Sequence, residues 1–208
     1  MQRSLPLVVT LSLLLGLFLA PTARATSMQH QTIVELIDLA EHILVGRVTA
    51  VTDGFDRGVP YTEVTLAVEE AIRGPGGTYT FRQFGLQAPR SLEDGRRYVG
   101  VSPAGWPTFQ TGDKVLVFLY QPASKTGLRT TVGLLQGTFK SKNGRFVNGI
   151  ENRDLFRGVA APEGRLSAEE LKLLQRTRGP VTEETLVSFV RKAVEGDWTR
   201  KGMLDHVR

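Results

Sequence analysis

The sequence contains no cysteine. A chain that leaves the cytoplasm without cysteine has no disulfide framework, so its fold must rest on a hydrophobic core. The same absence removes a thiol nucleophile and any thiolate metal site. Histidine is scarce too: His30, His42 and His206 are the only three, and none stands in a ligand or catalytic motif such as H-E-x-x-H. Ser91 and Ser102 lack a nucleophile-elbow context, and the glycine-rich stretch Gly74 to Gly77 is followed by no Lys-Ser/Thr and no helix to hold a phosphate. There is no internal repeat, heptad run or low-complexity tract. The residues therefore call for no cofactor, no metal and no defined catalytic set.

What is present begins with an export signal. Arg3 gives a short positive segment, Leu5 to Ala20 is an apolar run shorter than the ~20 residues of a membrane span, and Pro21 breaks it. Ala23-Arg24-Ala25 offers small residues at a cleavage site, so residues 1–25 read as a signal peptide and the mature chain begins near Thr26. The competing reading is an uncleaved anchor, which Thr10, Ser12 and Gly16 dilute. No cysteine follows for acylation, and Arg3 stands alone where a twin-arginine signal needs two. Removing 25 of the 208 residues leaves 183, enough for one well-buried domain with an appendage. Arg3 and Arg24 leave and no acidic residue does, so the formal charge falls from +5 to +3. That mild excess suits an ordinary solvated surface or a weak attraction to acidic polymers.

Periodicity then outlines a mostly β domain. Ile33, Leu36, Ile37, Ala40 and Leu44 recur at helical spacing opposite Glu35, Asp38 and Glu41, which predicts an amphipathic helix over about 32–42 with a wet acidic face. From Ile43 the period is two, and a strand runs to a turn at Asp53 to Gly58. A second long strand over Thr62 to Ile72 completes a hairpin, and a third covers Thr78 to Phe84. Gly85 to Gly112 is an irregular connection with one strand-like stretch, Tyr98 to Val101. Val115 to Tyr120 reads as a central strand buried on both faces. Strands over about Arg129 to Ser141 and Arg145 to Asn148 flank the hairpin signal Lys142-Asn143-Gly144. Ser167 and Glu170 have capping-box spacing, and a last helix starts near Thr182 with Gly196 as its C-cap.

The long connection carries the best candidate site. Arg90, Arg96, Arg97, Tyr98, Trp106 and Phe109 form either an exposed recognition surface or, through the three aromatics, the closure of a barrel end. Among carboxylates, Glu70 is the odd one, because it lies on the apolar parity of its strand between Val68 and Ile72. It either meets water at a sheet end or pairs with an arginine such as Arg82. Asp53 and Asp56 are explained by turn chemistry more simply than by calcium.

Short twisted strands, a closing helix and a long loop suggest a small barrel of the oligonucleotide/oligosaccharide-binding (OB) type. The segments from Asp38 to Thr49 and from Thr62 to Gly74 resemble the opening of exported bacterial proteins of unknown function with that barrel. Gly112 to Leu119 and Gly133 to Phe139 extend the likeness. The strand order is similar to the netrin-like domain of tissue inhibitors of metalloproteinases. Those inhibitors chelate the protease zinc with a mature N-terminal cysteine and are held by disulfides, so no inhibitory residue carries over to this cysteine-free chain. The resemblance also implies a setting beside secreted matrixin-like metalloproteases.

The expected organisation is a signal peptide over 1–25, an OB-like β-barrel over 26–158 with an N-terminal helix, and a C-terminal two-helix segment over 159–208. The expected function is that of a non-enzymatic binding protein, periplasmic or secreted, that takes a protein partner, such as a secreted protease, or an extended polymer. Export and a charge of only +3 argue against nucleic acid, and no membrane span remains after signal cleavage. The alternatives are a modulator of a secreted metalloprotease and a hydrolase acting through carboxylates such as Glu63 or Glu70.

Overall fold

The computed structural model describes residues 29–92, 94–99 and 101–204; residues 1–25, expected as a signal peptide, and His206 lie outside the described residues. The first element, α1 (Ile33–Leu39), is fixed at its start by a capping box between Thr32 and Glu35 and buries Ile33, Leu36 and Ile37. Its end is held from outside, because Arg73 donates to the carbonyls of Ile37 and Ala40 at 2.7 Å each. Those carbonyls have no partner within the helix. The helix stops short of its expected end, so Glu41 leaves the wet helical face and pairs with Arg129 at 2.9 Å.

Two long strands dominate the sheet. β1 (His42–Asp56) and β2 (Val59–Arg73) pair antiparallel along their whole length, with register shifts near Ile43, Val45 and Val48. Their turn is tighter than the sequence implied: Asp53 to Asp56 stay in the ladder, and only Arg57 and Gly58 turn. Both have positive φ, 49° and 78°, which is the two-residue hairpin geometry that matches strand twist. β3 (Gly77–Phe84) pairs with β2, and β6 (Lys114–Leu119) pairs with the first half of β1. Between them, β4 (Arg90–Ser91) and β5 (Arg97–Tyr98) form a separate small hairpin. The expected strand over 98–101 is therefore shorter, and Val101 instead bridges Leu86.

The expected strand over 129–141 is also broken. Thr131 makes one bridge to Leu119, Gly133 and Leu134 then take positive φ, and a 3-10 turn (Leu134–Gly137) precedes β7 (Thr138–Lys142). Two successive left-handed residues cannot continue a ladder. β8 (Arg145–Asn148) follows through the expected Asn143-Gly144 turn. α2 (Ala168–Leu174) has the predicted capping box from Ser167 to Glu170. β9 (Val181–Thr182) adds an edge, and α3 (Glu183–Glu195) ends at Gly196. The result is a mainly β protein with a seven-stranded antiparallel sheet in the order β3-β2-β1-β6-β7-β8-β9. The ladder does not close among the described residues. One backbone bond, Arg129 N–H to the Arg82 carbonyl at 2.7 Å, links the segment beside β6 to β3.

The core lies on both faces of this sheet. Leu44, Val48, Val64, Leu66, Phe81, Phe109, Val115, Val117 and Leu119 pack together on one face. On the other, Leu116 and Phe118 join α1, Phe139, Phe146, Phe156 and the apolar stripe of α3. β6 thus alternates between two cores, as its unbroken apolar run predicts. The C-terminal helices, read from sequence as an appendage, share the second core: Leu173, Leu186, Phe189 and Val190 are all buried in it. Each fully buried side chain of this size contributes about 1.5–3 kcal/mol.

Candidate binding surface

The short β4–β5 hairpin is held against the tip of the β1–β2 ribbon. Asp53 receives the Arg90 guanidinium and, at 2.8 Å, the backbone N–H of Gln87. Alongside, Tyr98 meets Phe55 edge to face, with ring centroids 5.2 Å apart. Asp53 and Phe55 are placed for this because they remain in the strand and share one side of it. Arg90 stands opposite Tyr98 across the β4–β5 ladder, so both contacts act on one rung.

Around this anchor lies a groove of about 920 Å³ lined by Arg90, Arg96, Arg97 and Tyr98 together with Phe55 and Leu92. Four of the six sequence candidates converge there. Arg96 pairs locally with Asp94 at 2.6 Å and holds its carboxyl below the usual range. Arg97 is exposed.

The other two candidates do not belong to this surface. Phe109 is only 5% exposed and packs edge to face on Phe81, with centroids 5.7 Å apart, inside the sheet core. It is scaffold, a core residue of the sheet and not part of an exposed recognition surface. Trp106 is half-buried against Phe84, at 6.2 Å between centroids.

A second depression, of about 260 Å³, lies on the other side of the ribbon tip and was missed from the sequence. Arg57, Arg82 and Lys125 line it with Asp56, Tyr61 and Leu128. The Arg82 guanidinium stacks 4.3 Å from the Tyr61 ring centroid and bonds Glu63 at 2.6 Å, which raises its already high pKa. Nothing near Lys125 in sequence hints at this, because residues brought from three separate segments make the pocket.

The carboxylates proposed for hydrolysis are committed elsewhere. Glu63 bonds Arg82, and Glu70 pairs with an arginine as the second of its two readings had it, the partner being Arg191 and not Arg82. Near Glu70, Lys114 sits between Glu183 at 2.8 Å and Glu69 at 3.3 Å, and these bonds raise its pKa. Burial pushes the Glu183 carboxyl up, but bonds from Lys114 and Ser141 outweigh it and leave it below the usual carboxylate range.

Farther along β3, Arg129 lies 6.0 Å from the Tyr79 ring centroid, and burial pushes the Tyr79 hydroxyl pKa up. His42 packs edge to face on the same ring. Among the described residues no three His, Asp or Glu side chains gather to hold a metal ion, and no helix is long and apolar enough to cross a membrane. No protein-family model, curated protein or solved structure matches this chain, so the likeness to netrin-like proteins rests on the strand motifs alone.

Proposed function

We propose that this chain is an exported, non-enzymatic binding protein that recognises a partner through the β4–β5 hairpin. The observation that supports it is the docking of that hairpin by Asp53 and Phe55, which gathers Arg90, Arg96, Arg97 and Tyr98 at one groove. Preorganised arginine and aromatic side chains are the residue types that carry binding energy at interfaces. The scaffold is an OB-like barrel in this reading, supported by the register shifts along the β1–β2 pair and the Arg129 to Arg82 backbone link. The N-terminal apolar run with its Ala-x-Ala site supports export, and intact mass should find residues 1–25 removed from the secreted protein.

The test of recognition is capture from the native secretome with the tagged mature chain. Arg97→Ala and Tyr98→Ala should each release a partner that the parent retains. A partner retained equally by both variants, at unchanged stability, overturns the hairpin as the recognition element.

A further inference from the structure

Side chains alternate along the β1–β2 tip, and so the same turn forms a wall of two depressions. Phe55 and Gly58 face the larger groove, while Asp56, Arg57 and Val59 face the smaller one. Across this saddle, Arg82, Arg90 and Arg96 already hold carboxylates of the chain itself: Asp56 at 3.8 Å, Asp53, and Asp94 at 2.6 Å. Arg57, Arg97 and Lys125 enter no ion pair among the described residues, which leaves cationic capacity on both sides of the tip.

The chemistry of this surface narrows what it takes. Guanidinium groups are matched to carboxylates by charge and by planar donor geometry, and the resident aspartates Asp53, Asp56 and Asp94 already pair with arginines beside the two grooves. The floor between the cations is apolar, made by Phe55, Leu92 and Tyr98. Among the described residues that larger groove offers no side-chain amide, and Ser91 and Tyr98 supply its hydroxyls, a poor match to the many hydroxyls of an acidic glycan.

We infer that the saddle binds an extended acidic polypeptide segment in which carboxylates alternate with apolar side chains. The apolar side chains rest on the Phe55–Tyr98 floor, and the carboxylates reach Arg97 on one side of the tip and Arg57 and Lys125 on the other. This inference rests on the recognition role of the β4–β5 hairpin and names the class of its ligand.

The probe is a fluorescent peptide repeating Glu-Leu-Glu-Ser, roughly ten residues and so about 33 Å when extended, titrated with the mature chain and followed by polarisation. Saturable binding is expected, weakening about tenfold between roughly 50 and 200 mM salt. The triple variant Arg57→Gln/Arg97→Gln/Lys125→Gln should weaken it about tenfold or more at an unchanged melting temperature. If the triple variant fails to fold, Arg97→Gln and Lys125→Gln are read singly, and each should weaken binding. Equal binding of a Gln-Leu-Gln-Ser peptide, tighter binding of polygalacturonate, no saturable binding, or indifference to these substitutions overturns the inference. A secretome partner that still depends on Tyr98 while the acidic peptide fails would leave the hairpin reading standing and remove only the ligand class.

Discussion

Arg191 of α3 grips Glu70 of β2 with two parallel bonds, Nε to Oε1 at 2.7 Å and Nη2 to Oε2 at 2.9 Å. The pair joins residues 121 positions apart and ties the C-terminal helix to the sheet. The register shift between Val45 and Gly46 accounts for the acid: it takes Glu70 out of step with Val68 and sets it opposite Val45, whose side chain packs in the core that α3 shares. Both side chains are partly exposed, 43% and 33%, so the bond is screened. In a double-mutant cycle of Glu70→Gln and Arg191→Met, denaturant unfolding should give a coupling of about 0.5–1 kcal/mol. A coupling of zero would mean that apolar burial alone attaches α3.

Glu170 predicts a pH dependence of stability. Its side chain is 2% exposed and accepts from Lys192 at 2.6 Å, Ser188 at 2.8 Å and the Ser167 amide at 2.7 Å. Burial pushes its carboxyl up, but these three donors together outweigh burial and hold its pKa below the ordinary 4.5. A depressed folded-state pKa gives stability that is fully present above the unfolded value and is lost as pH falls through the folded one. Glu170→Gln should therefore cost about 1–3 kcal/mol at neutral pH, and the gap to the parent should close as pH drops below about 4. Urea unfolding across that range checks it, and a gap independent of pH would mean that the carboxylate charge contributes nothing.

At Gly46 the β2 backbone leaves no room for a side chain on β1. A Cβ there would lie 2.6 Å from the Ala67 carbonyl oxygen and 3.1 Å from the Val68 Cα, both of them backbone atoms that cannot swing aside. Gly46→Ala should cost about 1–3 kcal/mol in thermal or chemical unfolding. Gly76 is the control: an added Cβ meets nothing within 4 Å, so Gly76→Ala should stay within about 0.5 kcal/mol of the parent. Equal effects would mean that the β1–β2 pair relaxes without loss.

The elements legible in the sequence were those with a local cause. The Ser167 to Glu170 capping box, the Asn143-Gly144 turn and the two-sided apolar run from Val115 to Leu119 each carry their signal in a few adjacent residues, and the structure has all three. The turn at Arg57-Gly58 was read too wide because Asp53 and Gly54 are also turn formers, while cross-strand pairing with Thr62 and Tyr61 kept them in the ladder. The 3-10 turn inside the expected strand at 129–141 went unseen because Leu134, an unusual residue for positive φ, is one of its pivots. In the site, the arginines of β4 and β5 were legible as a basic aromatic cluster. Lys125, Arg57 and the Arg191 to Glu70 pair were not, because long-range topology alone brings them into place.

The sharpest test separates core from recognition within one connection. Phe109 and Arg97 are a dozen residues apart, yet Phe109 is packed on Phe81 in the sheet core while Arg97 stands exposed at the groove. Phe109→Ala removes a ring at a position 5% exposed and should cost about 3–5 kcal/mol, comparable to Phe118→Ala in the opposite core. Arg97→Ala should shift stability by less than about 0.5 kcal/mol while weakening capture of the partner. Melting curves and capture are measured on the same preparations, so the two readouts can be compared directly. If Arg97→Ala melts as low as Phe109→Ala, the β4–β5 hairpin is scaffold; if it both melts and captures like the parent, the arginine groove is not the contact surface.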